Sequence, residues 1–142
     1  MTLKFWSDEK EGQLELKLFS EVAESYAKKV HDAKLNSRKD LNNPTQLRKF
    51  YDEILSFNAR FKLLSHDKDR EEIFKKQLPH LMMLIPKVKY SQARNLVSKE
   101  YSDMLCEAIS GNLKKSEDLS VLVNFLEAFM GYYKFYYETR RN

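Results

Sequence analysis

Hydrophobic positions along this chain recur at helical spacing. From Leu16 to Val30, the residues Leu18, Phe19, Val22, Ala23, Tyr26, Ala27 and Val30 follow an i, i+3/i+4, i+7 pattern, which predicts a first helix over about 14–31. Polar residues then dominate from Asp32 to Asn43, a predicted loop that exposes Arg38 and Lys39. Asn43-Pro44-Thr45-Gln46 reads as a helix start, with asparagine as N-cap, proline at the first helical position and glutamine at the third. The second helix, 44–64, turns Leu47, Phe50, Tyr51, Ile54, Phe57, Phe61 and Leu64 to one side. A third is expected over 68–85, with acids in its first turn where the helix dipole favours them, a kink at Pro79 and an end at Pro86. The fourth, 88–110, should bury Tyr90, Ala93, Val97, Tyr101, Met104, Leu105 and Ala108.

The fifth helix, 117–138, organises the rest. Ser116 is its expected cap, and Ser120, Asn124, Glu127, Gly131, Lys134 and Glu138 fall on one narrow line. Everything else from Val121 to Tyr137 is aliphatic or aromatic, an arc about twice as wide as the stripe that seats a surface helix on one core. Such a helix is central to a bundle, or another chain covers part of it. The segment Val121 to Phe129 suits the bundle interior. Tyr132, Tyr133, Tyr136 and Tyr137, with Phe135 among them, are the candidate subunit interface, since tyrosine tolerates a wet rim.

The predicted fold class is therefore all-α, a single-domain five-helix bundle over 1–142. Three glycines and three prolines leave little turn chemistry for a many-stranded sheet. The polar line of the fifth helix denies it a membrane span. MTLKFWSDEKEG has neither the basic start nor the apolar run of a secretory signal, so a cytoplasmic location is expected. One cysteine, Cys106, permits no internal disulfide and no cysteine-based zinc site.

No residue set argues for catalysis, a metal, a cofactor or a small-molecule substrate. His31-Asp32 and His66-Asp67 are dipeptides of the kind used by metal-dependent phosphohydrolases. Both are expected at exposed helix ends, with only His80 as a further histidine. Ser25-Tyr-Ala-Lys28 has a spacing seen in acyl-transfer enzymes but no partner motif. There is no phosphate-binding glycine loop and no Gly-x-Ser-x-Gly.

What remains is a mild basic excess, +4 at neutral pH, whose distribution matters more than its size. Arg48 and Lys62, fourteen residues apart, flank one edge of the second helix's apolar face, and Lys49 lies across from them. Lys87, Lys89 and Arg94 sit in LIPKVKYSQAR, the densest mixture of apolar, aromatic and basic residues in the chain. With Arg38 in the loop, these are the candidates for contacts to phosphate, which need no base-reading motif.

Three separated segments carry a resemblance. Thr45-Gln46-Leu47-Arg48-Lys49-Phe50-Tyr51, then Leu84-Ile85-Pro86-Lys87-Val88-Lys89-Tyr90 with Arg94 four residues on, then Phe125-Leu126-Glu127-Ala128-Phe129 followed by Tyr132, Tyr133 and Lys134, resemble the small helical subunit of type III-A CRISPR Csm effector complexes. The resemblance covers about 40–137 and implies a five-helix protein without chemistry of its own. It also implies copies stacked along a ribonucleoprotein filament in antiviral defence, touching neighbouring copies and other Csm subunits. These would hold the guide RNA and target RNA duplex by its backbone. The family's basic positions map onto Arg48, Lys87 and Arg94; Lys49, Lys62 and Lys89 join them from helix geometry. Ile85 stands before the motif proline where members often carry a basic residue, with Lys89 as the nearest substitute. The competing reading is a helical homodimeric interaction module that binds no nucleic acid.

Overall fold

The computed structural model describes residues 3–8, 10 and 12–140. A short hairpin of β1 (Trp6–Asp8) and β2 (Gln13–Leu14) precedes a π-helical turn, Leu18–Val22, that runs into α1 (Ala23–Leu35). There follow α2 (Pro44–Leu64), α3 (Arg70–Met82), α4 (Leu84–Ala93), α5 (Lys99–Ser110) and α6 (Glu117–Thr139). Only Met83, itself helical at φ −62° and ψ −16°, separates α3 from α4. The two form one rod broken at Met83, and the described residues make five helical rods.

The second helix begins as its cap chemistry dictates: the Asn43 side chain accepts a 2.9 Å hydrogen bond from the Thr45 amide, and Pro44 opens the first turn. Elsewhere the boundaries move. The helix runs through Pro79 and breaks at Met83 rather than ending at Pro86, because the proline ring displaces the carbonyl four residues back, that of Met82. Pro86 thus sits in the first turn of α4, where its missing N–H costs nothing, and it starts a helix instead of ending one.

The expected helix 88–110 is interrupted at 94–98. Asn95 adopts φ 61°, its amide bonds to the Gln92 carbonyl (3.0 Å), and the Leu96 amide bonds to the Ser91 carbonyl (2.9 Å), a Schellman stop. Ser98 then caps α5 by accepting from the Tyr101 amide at 3.2 Å. With the two helices out of register, Tyr90 and Ala93, expected in the core, are exposed. The first helix starts later than 14 and runs on to Leu35, so His31 is buried (2 % exposed) rather than at a solvent-facing end.

Helix α6 is the spine. Phe125 meets Phe5 and Tyr26, Phe129 meets Tyr101 and Tyr133, and Tyr133 meets His31, so one aromatic ladder on α6 touches the N-terminal segment, α1 and α5. Leu47, Ile54, Phe57 and Phe61 of α2 complete the same core. Each such side chain contributes about 1.5–3 kcal/mol on burial. At the other end the Trp6 indole donates to Asp118 (2.6 Å), while Asp118 also accepts the amides of Lys114 and Lys115. Ser116 occupies the N-cap position of α6 without capping it; its hydroxyl donates instead to Glu71, and that bond holds the Glu71 carboxyl below the usual range.

Candidate nucleic-acid interface

Helices α2 and α4 leave a groove of about 400 Å³ between them. On α2, Lys49 and Glu53 are one turn apart beside the buried Phe50. On the α3–α4 rod, Met83, the adjacent Pro86 and Lys87, Tyr90 and Arg94 recur at helical spacing and form the opposite wall, while Leu84 and Val88 turn inward to the core. Three cations from two helices thus line one groove. Lys87 Nζ lies 3.4 Å from Glu53 Oε2, and both side chains are about half exposed, so the pair contributes below about 1 kcal/mol and leaves Lys87 free to exchange partners. The Arg94 guanidinium carbon is 5.7 Å from the centre of the Tyr90 ring.

Arg48, though next to Lys49 in sequence, points to the other side of α2. It lies 5.8 Å from the Tyr51 ring and 3.7 Å from Asp52, in a cleft of about 480 Å³ between α2 and α6 that it shares with Lys134, Glu127 and Tyr137. Lys62 is fourteen residues further along α2, about 21 Å at the helical rise, and shares a separate cleft with Arg70 and Glu117. Lys89 turns toward α5, 3.9 Å from Asp103, which also pairs with Lys99. Arg38 is exposed in the turn after α1. The structure therefore gathers Lys49, Lys87 and Arg94 and separates Arg48, Lys62 and Lys89 from them. Lys134, on the polar line of α6, joins Arg48, and sequence reasoning had not marked it as a basic site residue.

The aromatic end of α6 is mostly consumed by the chain itself. The Tyr133 hydroxyl donates to the Asn42 carbonyl (2.6 Å), and that of Tyr136 donates to Glu24 Oε2 (2.8 Å) while its ring stacks on His31. Burial pushes both phenols above the ordinary tyrosine range. Tyr133 and Tyr136, expected at a subunit interface, are instead buried within the chain, covered by α1 and the 36–43 turn. Tyr132 and Tyr137 remain half-buried, and Phe135, 55 % exposed, is the outward-facing ring.

The two His-Asp dipeptides do not form a centre. His31 is packed between Tyr133 and Tyr136, whereas His66 and Asp67 are exposed in the α2–α3 turn, with Asp67 paired to Arg70. Among the described residues no group of three or more His, Cys, Asp and Glu side chains could hold a metal ion, and no helix is long and apolar enough to cross a membrane. Cys106 is half-buried on α5, where burial pushes its thiol up.

A family model described as Csm2 Type III-A matches residues 13–139. Comparisons with curated proteins and with solved structures find no match.

Proposed function

The chain belongs to the Csm2 type III-A family, the small subunit of type III-A CRISPR effector complexes, and from that premise we propose that it holds the guide RNA–target RNA duplex by its backbone. The observation that carries this reading is the α2–α4 groove, where Lys49, Lys87 and Arg94 face Glu53, the one acid among the described residues that line it. Phosphate contacts need cations held along a surface and nothing that reads bases. In such a complex sequence is read by the guide through base pairing, so a sequence-blind track suffices. Arg48 with Lys134, Lys62 with Arg70, and Lys89 lie outside this groove, each beside an acid, and are the candidates for further phosphate contacts.

The subunit does no chemistry in this reading and acts in the cytoplasm as one folded domain. Its contacts to neighbouring copies and to the other Csm subunits run through Phe135, Tyr132 and Tyr137, the part of α6 that its own chain leaves uncovered.

RNA binding in rising salt tests the track. The triple replacement of Lys49, Lys87 and Arg94 by Ala should weaken binding to unrelated RNA sequences alike. It should also reduce the slope of log affinity against log salt by about 2–3, close to one per lost phosphate contact. An unchanged affinity and slope would place the RNA elsewhere on the molecule.

A further inference from the structure

Backbone contacts explain the cations of the α2–α4 groove but not its aromatic ring. Tyr90 is 64 % exposed, whereas Tyr51, Tyr101, Tyr133 and Tyr136 are buried and the other tyrosines half-buried. It is accompanied along the same wall by Met83, 54 % exposed, and Pro86, which make an apolar strip. Basic groups bracket it: Lys87 is three residues before and Arg94 four after, with the Arg94 guanidinium 5.7 Å from the ring centre. A presented ring set between cations is the composition of a surface that stacks unpaired bases, because every base has a π-face and the strand on either side carries phosphate. A fully paired duplex offers no such face.

We propose that Tyr90 stacks on an unpaired nucleobase of the bound RNA, with Lys87 and Arg94 holding the phosphates on either side of it. The proposal rests on the groove being an RNA surface and adds a contact to a base face that gives no base identity.

The test uses the full chain, a perfectly paired RNA duplex, the same duplex with one unpaired adenosine, and an abasic version of the latter. Tyr90→Ala should bind the unpaired-adenosine duplex about tenfold more weakly, with the salt slope unchanged because no charge is removed, and Tyr90→Phe should bind as the parent does. On the perfect and abasic duplexes Tyr90→Ala should change affinity by less than about twofold. A 2-aminopurine at the unpaired position should be quenched by the parent and by Tyr90→Phe but not by Tyr90→Ala.

Equal weakening on all three RNAs would overturn base stacking. So would unchanged RNA binding by Tyr90→Ala beside a clear loss in Lys87→Ala/Arg94→Ala, an outcome that leaves the backbone track standing. If retention in the assembled complex falls while RNA binding does not, the occupant is a protein and the proposal fails. If Lys87→Ala/Arg94→Ala is also without effect, the groove is not an RNA surface and both readings fall.

Discussion

Asn42, at φ 59°, joins four segments through buried hydrogen bonds. Its side-chain amide donates to the Val30 carbonyl (3.1 Å) and to Ser98 Oγ (2.9 Å), and its side-chain oxygen accepts the Ser98 amide (2.8 Å). Its own carbonyl receives the Tyr133 hydroxyl, and its amide donates to the Leu96 carbonyl. Sequence reasoning recognised the neighbouring Asn43, whose partner is two residues away, and missed Asn42, whose side-chain partners are 12 and 56 residues distant. Asn42→Ala should cost about 3 kcal/mol or more, since it strands buried groups and leaves the left-handed backbone without the short polar side chain that lets Asn adopt it. Asn42→Gly loses the same side chain without the backbone strain and should be about 1 kcal/mol better than Ala. Urea unfolding of the two variants measures the difference, and equal stabilities would remove the backbone part of this explanation.

His31 makes a second residue-scale prediction. Burial lowers its pKa first of all; Asp32 opposes this, and Lys34 and Arg140 add to it. The unfolded chain, with an ordinary histidine value of about 6.5, therefore takes up the proton before the native state does. The full stability is present above that value and is lost as the pH falls below it. Unfolding free energy should drop between about pH 7.5 and 5.5, and His31→Phe, which keeps a ring between Tyr133 and Tyr136, should flatten that drop. An identical pH profile in the variant would show that His31 is not the group responsible.

At the scale of elements, periodicity located all five helical rods but not their internal register. The Asn95 stop and the Ser98 cap were present as residue types, yet an unbroken apolar pattern from Tyr90 to Ala108 concealed them. That single misplaced break decides what Tyr90 does: on one continuous helix it is a core residue, and on a separate α4 it lines the groove. Similarly, α6 was legible as an over-wide apolar helix, but which tyrosines its neighbours cover depends on Glu24, His31 and Asn42, some ninety or more residues earlier in the chain. Phe129 and Phe135 divide the helix experimentally. Phe129→Ala, at a fully buried site, should cost about 3–5 kcal/mol. Phe135→Ala should change stability by less than about 0.5 kcal/mol while lowering retention of the subunit in assembled complexes. Equal destabilisation in thermal melts would show that Phe135 is not the outward-facing ring.

For the whole molecule, the three motifs that resembled the family fall on α2, α4 and α6, and the family match spans them all. The candidate basic residues were legible individually, as lysines and arginines flanking apolar faces. Their grouping was not, because neighbours in sequence on one helix point about 100° apart. Arg48 and Lys49 are consecutive and line different clefts, whereas Lys49 and Arg94, forty-five positions apart, line the same one. A net charge of only +4 thus becomes a locally positive groove through packing rather than composition. The N-terminal hairpin went unread because its strands are three and two residues long and are held by Asn112 and Asp118, far along the chain.

Lysine acylation of the purified chain, alone and with an RNA duplex at low salt, tests the groove most directly. RNA should protect Lys49 and Lys87, Lys4 and Lys10 at the hairpin end should stay equally reactive, and the protection should disappear as salt rises. Equal acylation of Lys49 and Lys87 with and without bound RNA would contradict RNA binding in the groove.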